Sequence, residues 1–106
     1  KASVLLGEKK FEKAKIEIVR SLVADPEYAP AYNNKGVINH QLKKYKEAIV
    51  DFDEAIRLDV NYSKAYLNRG ISKQMIRDED GACLDWGKAS ELGIMIARKY
   101  LVNDCE

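Results

Sequence analysis

Between residues 46 and 58 the apolar positions Ala48, Ile49, Phe52, Ala55 and Ile56 recur at i, i+1, i+4, i+7 and i+8. That spacing lays one stripe along a helix. The remaining positions, Lys46, Glu47, Asp51, Asp53, Glu54 and Arg57, read as a solvated face. Stripes of this period run through the whole chain, and no stretch alternates with the period of two that a half-buried strand requires. The pattern predicts an all-α chain, with helices near residues 1–7, 10–23, 30–42, 46–58, 64–76, 80–92 and 95–104. Turn formers fall between the later segments: Asp25-Pro26, then Asp59 to Asn61, then Gly93, which follows Leu92 where a left-handed helix cap is expected.

The stripes repeat. At a shift of 34 residues Ala31, Tyr32, Asn34, Gly36, Ala48, Asp51, Ala55 and Leu58 meet identical residues at Ala65, Tyr66, Asn68, Gly70, Ala82, Asp85, Ala89 and Leu92. The same shift backwards pairs Lys9, Lys10, Phe11, Ala14, Asp25 and Tyr28 with Lys43, Lys44, Tyr45, Ala48, Asp59 and Tyr62. The chain therefore holds two full units and an incomplete first one, each full unit being two helices. Pro30 sits in a first turn, where its missing N–H costs nothing. Gly36 and Gly70 fall inside first helices, at a cost of about 1 kcal/mol each relative to Ala. A cost incurred twice at one register needs a shared reason, and close approach of the paired helix opposite Ala48 and Ala82 supplies it.

Charge narrows the function classes. The 106 residues carry 18 Lys+Arg against 17 Asp+Glu, with the signs interspersed. That argues against a nucleic-acid or membrane-surface binder, which needs a one-signed patch. The longest apolar runs, such as Ile94 to Ala97, are far short of the roughly 20 residues that cross a bilayer. The chain opens on Lys1 without an initiator Met or an apolar leader, as a segment of a longer protein would. Cys83 and Cys105 sit in no metal or redox spacing, and no cofactor site is expected.

A 34-residue helix-turn-helix unit with small and aromatic residues at these places resembles the tetratricopeptide repeat. The match rests on Tyr32, Gly36, Tyr45, Ala48, Phe52 and Ala55, on Tyr66, Gly70, Ala82, Trp86 and Ala89, and on Phe11, Ala14 and Pro26 in the partial unit. The resemblance implies a helical solenoid forming one domain over 1–106: a partial repeat at 1–28, repeats at 29–62 and 63–93, and a capping helix at 94–106. Ala97, Tyr100, Leu101 and Cys105 form the stripe with which that last helix covers the open end. The stretch from Gly81 to Trp86 together with Cys105 is similar to final repeats of some bacterial members.

Departures from the family pattern carry expectations of their own. Lys35 and Arg69 stand where the family has Leu, and Asn39 and Lys73 where it has an aromatic. Their stems are expected to lie along apolar surface with the polar ends in water. Pro is absent after the second and third units, where Val60 and Ile94 stand. Glu79 replaces the aromatic of Phe11 and Tyr45, which predicts a looser turn in the third unit.

The resemblance also implies a concave groove lined by first helices. Asn33, Asn34, Val37, His40 and Gln41 form its line in the second unit, and Leu67, Asn68, Ile71, Gln74 and Met75 continue it in the third. Amides mixed with modest apolar side chains suit an extended peptide or a partner helix, although a plain polar helix surface would look the same. One branch of the family grips a C-terminal carboxylate. Of that set Asn34 and Lys64 match, Ser3 stands for the first Asn, Asn68 stands for the Arg, and the first Lys would precede Lys1.

His40 has no nucleophile or carboxylate placed beside it by spacing, so it reads as a groove or surface residue. Trp86 and Tyr100 read as packing of the core and cap. Cys83 takes the place of Ile49, on the face that meets the next helix, and Cys105 lies on that helix. The pair is either two small buried hydrophobes or a disulfide pinning the cap. A disulfide would imply a bacterial extracytoplasmic home, in the periplasm or envelope, and its absence the cytoplasm. The expected function is a protein-interaction module that holds a protein or peptide partner and is not an enzyme. The alternative is a spacer in a longer protein that self-associates through an open apolar edge around Ala2, Leu5 and Leu6.

Overall fold

The computed structural model describes the backbone of residues 2–105 and the side chains of residues 10–103 and 105. Ala2, Ser3, Leu5 and Leu6 therefore lie outside the described side chains. Six helices follow one another: α1 (Ala2–Ala24), α2 (Ala29–Gln41), α3 (Tyr45–Leu58), α4 (Ser63–Met75), α5 (Glu79–Glu91) and α6 (Met95–Asp104). Each packs on the next, and α2 also meets α4 across the intervening hairpin. Among the described residues there is no strand.

One expected break is missing. The segments 1–7 and 10–23 are a single helix, α1. The reason lies in the turns. Helices α2, α4 and α5 each end with a residue at positive φ, at Lys43 (63°), Arg77 (65°) and Gly93 (100°). In all three the next amide reaches back to the helix, as Lys44 N to Asn39 O (2.8 Å), Asp78 N to Lys73 O (2.8 Å) and Ile94 N to Ala89 O (3.0 Å). This double closure satisfies carbonyls left open at a helix end. Lys9, the counterpart of Lys43, stays helical. A six-residue helix ending there would be too short to stand alone, so continuing the i→i−4 ladder wins over the internal cost of Gly7.

The turn expected to be looser is not. Arg77 N to Gln74 O measures 3.0 Å, the same as Lys43 N to His40 O. The carboxylate of Asp78 accepts from Gly81 N at 3.1 Å and caps α5. That cap replaces the contact by which Tyr45 closes the other turn, its ring edge-on to His40 at 5.0 Å. Between units, Tyr32 and Tyr66 each donate a hydroxyl to a turn carbonyl, on Pro26 (3.3 Å) and Val60 (2.9 Å).

Ala48, Phe52, Ala55, Ala65, Ala82, Trp86, Ala89 and Ala97 form the core, none more than 1% exposed. The helix-pair contact expected to run from Gly36 and Gly70 to the small Ala48 and Ala82 is instead mainly with aromatic rings. A Cβ at Gly36 would fall 2.5 Å from Phe52 Cε1, and one at Gly70 would fall 2.6 Å from Trp86 Nε1 and 3.1 Å from Ala82 O. The ring lies flat where a side chain would stand. At the C-terminal end Tyr66, Leu67, Ile71, Cys83, Ile94, Tyr100, Leu101 and Cys105 surround Ala82, Trp86, Ala89 and Ala97. Tyr100 stacks on Trp86 at 4.9 Å, and Cys83 and Cys105 are joined by a disulfide with Cα atoms 5.7 Å apart.

Candidate functional site

Whether the first helices offer a charged or a neutral groove depends on where their cations go. Lys35, Arg69, Lys73 and the amide of Asn39 do not end in water. In the second unit Lys35 Nζ lies 3.3 Å from Asp51 Oδ1, and Asn39 Nδ2 donates to Asp51 Oδ2 at 2.6 Å. In the third unit Arg69 donates to both oxygens of Asp85 (2.9 and 2.6 Å), and Lys73 Nζ lies 3.2 Å from Asp85 Oδ2. Arg69 also reaches Asp53 of α3 at 2.8 Å, tying one unit to the next. The two aspartates are buried, so the assignment of Asp51 to a solvated face is corrected. A long cation facing the neighbouring helix draws a carboxylate inward when the alternative is an unpaired buried charge.

Burial raises the carboxyl of Asp51 above the usual aspartate range, and Lys35 and Asn39 offset this only in part. Burial alone would lower Arg69, but its hydrogen bonds to Asp85 and Asp53 win and hold it above its ordinary value. Each aspartate takes its cations from the first helix of its own unit.

On that face Val37, His40 and Gln41 of α2, Phe52 of α3, and Asn68 and Ile71 of α4 surround a hollow of about 170 Å³. Ser72, fully buried, holds His40 in place, with Oγ 2.8 Å from the imidazole Nδ1. Burial lowers the pKa of His40, favouring the neutral ring. Asn68 Nδ2 donates to Asn33 Oδ1 at 3.1 Å across the same seam.

Of the residues expected along the groove, Val37, His40, Gln41, Asn68 and Ile71 come together here. Asn34 and Lys64 are exposed on the same two helices. Asn33 is instead 5% exposed, bonded to Asn68 and to the hydroxyl of Tyr62, and serves to join α2 to α4. Leu67 packs toward the cap, and Met75 is exposed at the end of α4. Gln74 turns to a separate small hollow with Glu79, Ala82, Cys83 and Trp86. Phe52 was missed as a site residue because it carries a core signal in sequence, and Ser72, buried behind His40, because a lone serine carries no signal.

Paired helices stacked in register, with a neutral hollow between successive first helices, define a helix-pair solenoid with a docking surface. The model of the tetratricopeptide repeat matches residues 29–62. Among solved structures, the second tetratricopeptide domain of Spaghetti (RPAP3), bound to the HSP90 peptide SRMEEVD, is 30% identical over 85% of this chain and 83% of its own, with a TM-score of 0.77. The second such domain of the human RPAP3 protein, in complex with the HSP70 peptide SGPTIEEVD, is 28% identical, covering 98% of this chain and 88% of its own at a TM-score of 0.84. The Sgt2 domain from Aspergillus fumigatus shares the fold at 21% identity, 96% and 70% coverage and a TM-score of 0.84. No match is found among curated proteins. The chain belongs to the tetratricopeptide-repeat family and is a protein-interaction module.

Proposed function

We propose that this domain binds a segment of a partner polypeptide along α2 and α4, with one side chain of that segment seated in the hollow between Val37, His40 and Ile71. The observation that carries the reading is the make-up of the hollow, where apolar walls are rimmed by the amides of Gln41 and Asn68. Such a surface can take a side chain while hydrogen-bonding the backbone that presents it. The two RPAP3 domains just described hold peptides, which supports the same reading. Selection of binders from a random displayed-peptide library tests it. Val37→Glu should weaken every groove binder about tenfold or more while leaving the helical circular dichroism intact, and binders indifferent to it would place the site elsewhere.

A second reading has its own observation. Ile16, Val19 and Val23 of α1 are 54%, 43% and 81% exposed, which favours association through that face, with a second copy or with further chain. Sedimentation of wild type against Val23→Glu tests self-association, which predicts a concentration-dependent dimer lost in the variant. The disulfide is the feature that favours an extracytoplasmic home, and the oxidation state of Cys83 in the native host decides that point.

A further inference from the structure

The groove's charge balance goes further than its location. Helices α2 and α4 carry four Lys or Arg residues between them: Lys35, Lys64, Arg69 and Lys73. Three are bound within 3.3 Å of the buried carboxylates Asp51 and Asp85. Lys64 is exposed and has no carboxylate partner among the described residues. Asn68, which lines the hollow, gives one amide N–H to Asn33 and carries no charge. His40 has one ring nitrogen at Ser72, and the other walls are Val37, Phe52, Ile71 and the neutral amide of Gln41.

None of the residues lining the hollow is a lysine or arginine, so a carboxylate seated between Val37 and Ile71 would lose water with no counter-charge beside it. An aliphatic side chain loses nothing and buries apolar area. Gln41 and Asn34 carry both amide donors and acceptors, which match the N–H and C=O groups of an extended backbone.

From this arrangement we infer that the occupant is an extended internal segment of a partner, anchored by one uncharged aliphatic side chain between Val37 and Ile71, and that binding requires no free C-terminal carboxylate. The inference rests on the groove reading above and gives it a specificity. It sets this domain apart from the two peptide-bound relatives, whose peptides SRMEEVD and SGPTIEEVD both end in Glu-Glu-Val-Asp.

The test uses two random decapeptide libraries, one displayed with free C-termini and one embedded between flanking sequences. Hits are then made as synthetic peptides with free or amidated ends and titrated by fluorescence polarisation, with SRMEEVD as an acidic reference probe. The expected result is binders from the embedded library that share Leu, Ile or Val at one position. Their affinity should change less than about twofold on amidation or in Lys64→Ala, and fall about tenfold or more in Val37→Glu. Binders confined to the free-terminus library, acidic, and weakened about tenfold by amidation or by Lys64→Ala would overturn the inference and leave the groove reading standing. Failure to recover any binder sensitive to Val37→Glu would sink both.

Discussion

The second and third units share a skeleton and differ in how each buries an aspartate. Asp51 is met by one ammonium, that of Lys35, and by the amide of Asn39, whose own Oδ1 is buried without a partner. Asp85 is gripped at both oxygens by Arg69 and at one by Lys73. A planar guanidinium matches a carboxylate with two parallel bonds, where an ammonium offers a point charge. The third unit also carries a larger ring, a stacked Tyr100, an N-cap at Asp78 and the cap disulfide. Two copies of one motif thus bury an aspartate through different side chains, and the copy with more bonds lies at the end of the solenoid.

The rings beneath the glycines test the shared skeleton. Phe52→Ala and Trp86→Ala should each cost about 3–5 kcal/mol in chemical denaturation, with Trp86→Ala also releasing α6, seen as loss of amide protection there. If α6 kept its protection, the stacking of Tyr100 would be incidental. Removing the tether comes next. Cys105→Ser opens a loop closed across 22 residues, for which the chain-entropy model gives about 3 kcal/mol, and hydrogen exchange should then accelerate in α6 before α5.

The carboxylates probe the difference itself. Asp85→Ala strands two cations of which one also serves Asp53, and should cost about 2–4 kcal/mol. Asp51→Ala strands the more exposed Lys35 and should cost about 1–2 kcal/mol. Equal losses would mean that the bidentate grip adds nothing. Gly36→Leu drives a side chain into the Phe52 ring and should cost about 1–3 kcal/mol in thermal unfolding.

The smallest effect is in pH. Because burial raises Asp51 in the folded state, the folded protein takes up this proton more readily than the unfolded chain does. Its contribution to stability is therefore present below the unfolded aspartate pKa and lost as pH rises through the folded one. Stability measured relative to Asp51→Asn should improve on acidification through that window, and a difference flat in pH would remove the burial argument.

Much of this was readable from residues. The stripe of Ala48, Phe52 and Ala55 is a core face in any helix that packs, and the left-handed cap at Gly93 follows from glycine's freedom at positive φ. Lys43 and Arg77 take the same conformation at a cost that sequence does not advertise, because the double hydrogen bond across the turn is visible only once the helix end is in place. The groove line was half legible. Val37, His40, Gln41, Asn68 and Ile71 were found by their position on first helices, while Asn33 and Gln74 share that spacing and turn elsewhere.

By itself the sequence determined the helical period, the 34-residue unit, the all-α class and the family, because each follows from spacing along one chain. Only the tertiary structure decided that Asp51 and Asp85 are interior, that the glycines face rings, and that the hollow between α2 and α4 is lined without a lysine or arginine. Those outcomes depend on which groups meet across a helix pair. A cation and a carboxylate sixteen residues apart, such as Lys35 and Asp51 or Arg69 and Asp85, look like two surface charges until packing removes the water between them and makes their pairing the least costly state.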